Sequence, residues 1–276
     1  MKNHQSAGKS ESAVCGLRPA AMVGGRGGLP VNPAGVPPRL FSIANRQSPI
    51  ANAFTLIELL VVIAIIGVLA AFTLTVLKSV KRHQYISHTQ AEMGLLETAI
   101  QRYHDAYGFY PPSNSHYPAD PSQARFSPLY FELLGTTLNN GNYTNLDSSA
   151  SISGDATTMT DGFGVGGFIN CTKGSGEDIH PAQNFLPGLK PKQFGLNITN
   201  NFNSVNVPVT LLLGSVGGPD VSYQPFGVPN ENPWRYVSPG VNNPGSYDLW
   251  IQLVISGQTN LICNWSGQVQ INSPLP

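Results

Sequence analysis

Phe54-Thr55-Leu56-Ile57-Glu58-Leu59-Leu60 opens a run, FTLIELLVVIAIIGVLAAFTLTVL, that reaches Leu77 with Glu58 as its single ionisable side chain. As an α-helix this stretch extends about 36 Å, enough to cross a hydrocarbon core of about 30 Å. A buried helix of a soluble protein rarely stays apolar on every face for so long. The run therefore predicts a transmembrane helix over 54–77. Its orientation does not follow from flanking charge, because Arg39 and Arg46 precede it and Lys78, Lys81 and Arg82 follow it.

Glu58 is the informative position. A carboxylate near the start of an apolar helix is expensive in lipid unless something pairs with it, which makes function the first reading. The alternative is a carboxylate close enough to the helix end to reach headgroup water.

Outward from the run, the chain changes character. Its 276 residues carry 15 Lys+Arg and 15 Asp+Glu, a formal net charge of zero. Six basic side chains against Glu11 alone make residues 1–53 cationic, and the remainder is acidic by the same margin. Such asymmetry marks a targeting or processing boundary. A neutral total argues against a nucleic-acid surface built on overall charge. With 29 Gly and 23 Pro the chain is rich in turns, yet 41% apolar residues suffice for a core.

The phrase Ala53-Phe54-Thr55-Leu56-Ile57-Glu58 followed by an unbroken apolar helix closely resembles the processing signal of type IV prepilins and pseudopilins. The resemblance implies a basic leader, 1–53, removed by a prepilin peptidase between Ala53 and Phe54, with methylation of the new Phe54 amine. It also implies that Glu58 neutralises the amine of a neighbouring subunit during filament assembly. The physics agrees, because a cationic amine is the partner that a carboxylate in lipid needs. The chain departs from the family in having Ala where Gly is usual before the cut, in the length of its leader, and in Thr75 where many relatives carry a helix-kinking Pro.

Beyond Leu77, Ile86, Met93, Leu96, Ile100, Tyr103 and Tyr107 recur at helical spacing, predicting an amphipathic continuation over 78–108 that Gly108 and Pro111-Pro112 stop. The helix ending Tyr103-His104-Asp105-Ala106-Tyr107-Gly108-Phe109-Tyr110-Pro111 is similar to that of the major pseudopilin of type II secretion, general secretion pathway protein G. So is the later order Pro233-Trp234, Tyr236, Ser238-Pro239-Gly240, Tyr247-Asp248-Leu249 and Trp265. The fold expected is α+β: a long N-terminal helix against a small antiparallel sheet in a head over 109–276. Tyr247, Leu249, Ile251 and Leu253 alternate as a half-buried strand, with Leu261–Trp265 as its partner. Residues 113–230, rich in Asn, Gly, Ser and Thr, are read as a large loop-rich insertion with short strands, Val209–Leu213 foremost.

Pseudopilin G heads often bind calcium after the Tyr-Asp-Leu strand, but Ser256-Gly257-Gln258-Thr259-Asn260 holds no carboxylate and Asp248 alone is a poor basis for a cation wanting six to eight oxygens. The calcium site is therefore read as lost or replaced by side-chain amides, and no other cofactor is expected. Cys15 falls in the leader, leaving Cys171 and Cys263 either bridged in an oxidising compartment or free and buried. Gly162-Phe163-Gly164-Val165-Gly166-Gly167 matches G-x-G-x-x-G literally but lacks the strand before and helix after that a dinucleotide site requires. The six His show no metal-ligand spacing, and sequons begin at Asn142, Asn170, Asn197 and Asn264. No nucleophile elbow, P-loop or acid/base pair is evident, so no enzyme is predicted.

The resemblance implies a structural subunit of a type II secretion pseudopilus. It would be single-pass in the bacterial inner membrane with its head in the periplasm. Its partners would be prepilin peptidase, copies of itself, other pseudopilins and the inner-membrane assembly platform. A type IV pilin of a surface pilus is the near alternative. A secreted or tethered binding protein or enzyme, cut by ordinary signal peptidase after Val68-Leu69-Ala70, is the alternative of a different class.

Overall fold

The computed structural model describes residues 54–173 and 179–275, without the side chains of 73–78. The expected leader, Ala53 included, lies outside the described residues.

Helix α1 runs unbroken from Leu56 to Tyr107, 52 residues or about 78 Å. It has no internal proline, and Thr75 sits inside it without ending it. The helix stops where Gly108 enters the left-handed region at φ 80° and gives its N–H to the His104 carbonyl at 2.7 Å. Glycine takes that ending without a Cβ penalty, and the two prolines that follow prevent resumption.

The surroundings of α1 change along its length. From Leu56 to Phe72 every side chain is exposed. Burial begins at Thr89 and continues through Glu92, Leu96, Ala99, Ile100 and Tyr103. Of the stripe expected from spacing, Leu96, Ile100 and Tyr103 are fully buried, while Ile86, Met93 and Tyr107 pack against the core from its margin. Thr89 and Glu92 complete that face, two polar residues that apolar periodicity passes over.

The head is α+β. After α1 come α2 (Leu129–Leu134), β1 (Thr136–Asn139), β2 (Asn142–Asn145), β3 (Ser151–Ser153), α3 (Ala156–Phe163), β4 (Cys171–Thr172), β5 (Phe194–Phe202) and β6 (Val205–Leu212). The C-terminal strands are β7 (Arg235–Val237), β8 (Asp248–Ile255), β9 (Gln258–Cys263) and β10 (Gln270–Ile271). They form one antiparallel sheet in the order β10-β9-β8-β7. A mixed sheet, β3-β2-β1-β4, and the long hairpin β5-β6 make up the rest.

Residues 113–230 do more than loop. They contain α2, α3 and β1–β6, and they share a core with α1 through Phe126, Leu129, Phe131, Leu133, Phe163 and Val209. All six residues of α2 are buried. The strand expected at Val209–Leu213 is β6, which begins at Val205 and ends at Leu212.

The partner strand expected at Leu261–Trp265 is β9, paired in register from Trp250↔Cys263 to Ile255↔Gln258. The expectation of a half-buried strand is corrected. Leu249, Ile251 and Leu253 of β8 face the main core with α1, and Trp250 on the opposite face packs with Ala124, Val237, Leu261 and Cys263 in a second cluster. The short 3-10 helix Pro121–Arg125, within the 113–230 stretch, supplies Ala124 to that outer face. An element outside the sheet thus buries the side that alternation assigns to water.

Candidate functional site

The candidate site begins at the start of α1. Phe54 and Thr55 precede the first helical residue, and Glu58 stands in the first turn, where the positive end of the helix dipole favours a carboxylate. Thr55-Leu56-Ile57-Glu58 also has the Thr-x-x-Glu order of a helix start. Around this turn the surface is apolar on all sides. Leu56 is 82% exposed, Ile57 69%, Ile63 58% and Phe72 68%, with Leu59, Leu60, Val61, Val62, Ile65, Ile66, Val68 and Leu69 open as well. Monomeric soluble proteins rarely show a contiguous apolar surface of this extent, which marks a site for protein or lipid contact. Among the described residues no helix is long and apolar enough to cross a membrane. The described side chains of the run end at Phe72, and the expected span continues to Leu77.

The prokaryotic N-terminal methylation motif matches residues 51–74. That match supports the type IV prepilin-like superfamily. It covers Ala53, Phe54 and Glu58, the residues singled out by the sequence, and it implies a structural subunit with a membrane-anchored N-terminus, processed by a prepilin peptidase and assembled into pilus-like filaments. No curated protein and no solved structure matches the chain.

The other sequence-stated positions are distributed through the head. Cys171 on β4 and Cys263 on β9 are free thiols, both buried, in separate sheets, and burial pushes the Cys263 thiol upward. Asn170 of the second sequon is fully buried, so that sequon presents no accessible amide.

Ser256 and Gly257 form the tight turn between β8 and β9, with φ of 52° and 77°. Asp220 accepts both turn amides, Ser256 N–H at 3.1 Å and Gly257 N–H at 2.7 Å. Asn260, fully buried, accepts from the Arg82 guanidinium at 2.7 Å. Asp248 receives the amides of Val241, Asn242 and Asn243 at 2.8, 2.8 and 3.0 Å and the Asn242 side-chain amide at 3.0 Å. The Asp248 and Asp220 carboxylates and the Asn260 oxygen are thus committed to donors, and the residues here do not fit a calcium ion. Their oxygens hold the sheet and its loops instead.

The G-x-G-x-x-G match lies at the wrong end of a helix for phosphate. Gly162 is in the last turn of α3 and Gly164 is its left-handed C-cap, bonding back to the Thr160 carbonyl. That end presents carbonyls, not N–H groups, and those of Thr160, Asp161 and Gly162 accept from the His116 ring and the Asn200 side-chain amide.

Ser215 Oγ and His88 Nε2 are 2.9 Å apart, and Glu92 approaches the same ring nitrogen at 3.5 Å. An orienting acid of a catalytic triad must bond the other nitrogen. Glu92 instead accepts the Ser215 N–H at 3.1 Å and the Gln193 side-chain amide at 3.3 Å, which ties α1 to the end of the 113–230 stretch.

Sequence reasoning missed the principal buried polar centre. Glu132 of α2 is fully buried. Its carboxylate accepts from the Ile169 N–H at 2.8 Å, the Asn170 N–H at 3.0 Å and the Tyr103 hydroxyl at 3.0 Å. Asn170 in turn donates to the Glu132 and Gln183 carbonyls and accepts the Tyr107 hydroxyl at 2.8 Å. Burial pushes the Glu132 carboxyl above its ordinary range, against the opposing pull of the amides of Asn170 and Ile169 and the Tyr103 hydroxyl. Burial and the Glu132 charge push Tyr103 upward as well. The arrangement fastens α1 to α2 and β4. Glu132, Asn170 and Tyr103 are themselves fully buried.

Proposed function

We propose that the chain is a structural subunit of a type II secretion pseudopilus, of the major-pseudopilin kind. The supporting observation is the coincidence of the methylation motif over 51–74 with the start of an unbroken helix whose exposed surface is apolar all round. In this reading prepilin peptidase cuts between Ala53 and Phe54 and the Phe54 amine is methylated. The helix 54–77 spans the inner membrane with the head in the periplasm. On assembly the apolar helices of successive copies pack together, and each Glu58 sits against the Phe54 amine of a neighbour, which sets their axial register.

The secretion branch, as against a surface pilus, is favoured by the Pro233-Trp234, Ser238-Pro239-Gly240 and Tyr247-Asp248-Leu249 order. In the fold these segments share one unit: β7 and β8 pair, and Asp248 holds the loop after Ser238-Pro239-Gly240. Other pseudopilins and the assembly platform are the partners that this reading requires.

The test is the mature N-terminus, read by mass spectrometry from membranes with and without prepilin peptidase. The expected species begins with N-methylated Phe54 and disappears without the peptidase. A chain starting at Ala71 would sink the reading in favour of an ordinary secreted protein. With processing established, deletion of the gene decides the branch: loss of protein secretion supports the pseudopilus, and loss of surface fibres supports the pilus.

A further inference from the structure

Two arginines, one buried and one half-buried, lie on the outer side of the C-terminal sheet without an acidic partner among the described residues. Arg235 of β7 is only 7% exposed. Its guanidinium meets neutral oxygens, the Pro233 carbonyl at 3.4 Å and the Tyr223 hydroxyl at 3.2 Å, and that hydroxyl gives its own proton to Gln252 at 3.3 Å. Arg125, the last residue of the short helix that covers this sheet face, lies over the rings of Phe126 and Phe226 at 5.0 and 5.3 Å. It donates once, to the Pro225 carbonyl at 2.9 Å, and its Nε is buried with no acceptor.

Both guanidiniums converge on the loop 223–226. The ion pairs among the described residues are His88–Glu92 and His104–Asp105, so neither arginine has a carboxylate within reach. Asp120 is the acidic group whose charge reaches Arg125, and its oxygens are taken by the Ser122 N–H and the Gln123 amide. Guanidinium cannot shed its proton, and two neighbouring cations drawn away from water repel each other, so this arrangement is costly until an anion joins it. Burial and the Arg235 charge already depress Arg125 from its ordinary value.

We propose that Arg125 and Arg235, walled by Tyr223 and Phe226, form a binding site for a small oxyanion, a phosphate group or a carboxylate. Planar forks of N–H donors suit either one through paired bonds, and the aromatic faces hold the Arg125 plane in place. Arg125, Tyr223, Pro225 and Phe226 are only half-buried, so the anion would reach the pair from this side.

The test uses the full chain in detergent micelles. Thermal unfolding is followed while sodium phosphate, or separately sodium acetate, replaces chloride at constant ionic strength. A saturable rise of about 2–4 °C in the midpoint is expected with one or both anions. Acetate as the better ligand points to an acidic side chain or chain end of a protein partner, and phosphate as the better ligand points to a free or lipid-borne phosphate. Arg125→Gln, at a half-buried position, is expected to fold and to weaken the response at least about tenfold. Arg125→Lys keeps the charge but loses the fork and is expected to fall between the two. An equal response in the wild-type chain and Arg125→Gln, or no response to either anion, would overturn the proposal.

Discussion

At the scale of single residues, Glu132 separates two kinds of polar burial. Its two oxygens face two backbone N–H groups and one hydroxyl, so Glu132→Gln turns an NH2 toward a buried donor. The expected loss is about 1–3 kcal/mol of unfolding free energy. Its pH dependence has a defined sign. The folded carboxyl takes its proton at a higher pH than the unfolded value near 4.5, so the folded state binds more protons between those two points. The stability that Glu132 contributes is therefore full below 4.5 and falls as pH rises through the raised folded value. Denaturant titrations of both chains from pH 4 to pH 8 should show the deficit of the variant narrowing with pH. A deficit that widens would mean that the three hydrogen bonds outweigh burial. None of this is legible in one dimension: Leu-Tyr-Phe-Glu-Leu-Leu shows an apolar cluster, but which of its residues meets Tyr103 and Asn170 depends on segments up to 38 residues away. The motif that contains Phe54 and Glu58 was legible for the opposite reason, since it is contiguous and needs no tertiary partner to be recognised.

At the scale of elements, local chemistry wrote some features plainly. The stripe that ends in Tyr103 and Tyr107 follows from helical period, and Gly108 closes α1 as a residue without Cβ can. The β1–β2 hairpin carried a signal that went unread, Asn140-Gly141, whose φ values of 50° and 79° are those that a two-residue turn demands. The β8–β9 turn uses Ser256-Gly257 with the same signs of φ, and a left-handed serine is less favourable than asparagine. Ser256→Asn is expected to raise stability by about 0.5–1 kcal/mol, measured as a shift in denaturation midpoint with an unchanged denaturant slope. A decrease would show that the bond from the Ser256 N–H to Asp220 is sensitive to the side chain at that position. The burial of β8 on both faces could not be read from alternation, because the cover is Pro121–Arg125, more than a hundred residues earlier.

At the scale of the whole molecule, the hydrogen bonds seen from α1 to the rest of the head lie in its C-terminal half. Among the described residues of α1 the first buried side chain is Thr89, and Arg82 is the earliest whose hydrogen bond to the head is seen. A chain beginning at Ser79 is therefore expected to remain folded and soluble, with a thermal midpoint within about 2 °C of the full chain in detergent. A collapse in its midpoint would show that the apolar end contributes to folding beyond exposing surface. The same layout determines how the protein answers force. A pull along α1 enters the head through bonds made at Arg82, Glu92, Tyr103 and Tyr107, spread over about 38 Å of helix. Because these contacts lie along the line of tension, they bear the load together and must slip as a set. Tension from the side would open them one after another. The molecule is in this sense a mechanically directional joint, strong in shear and weak in peeling.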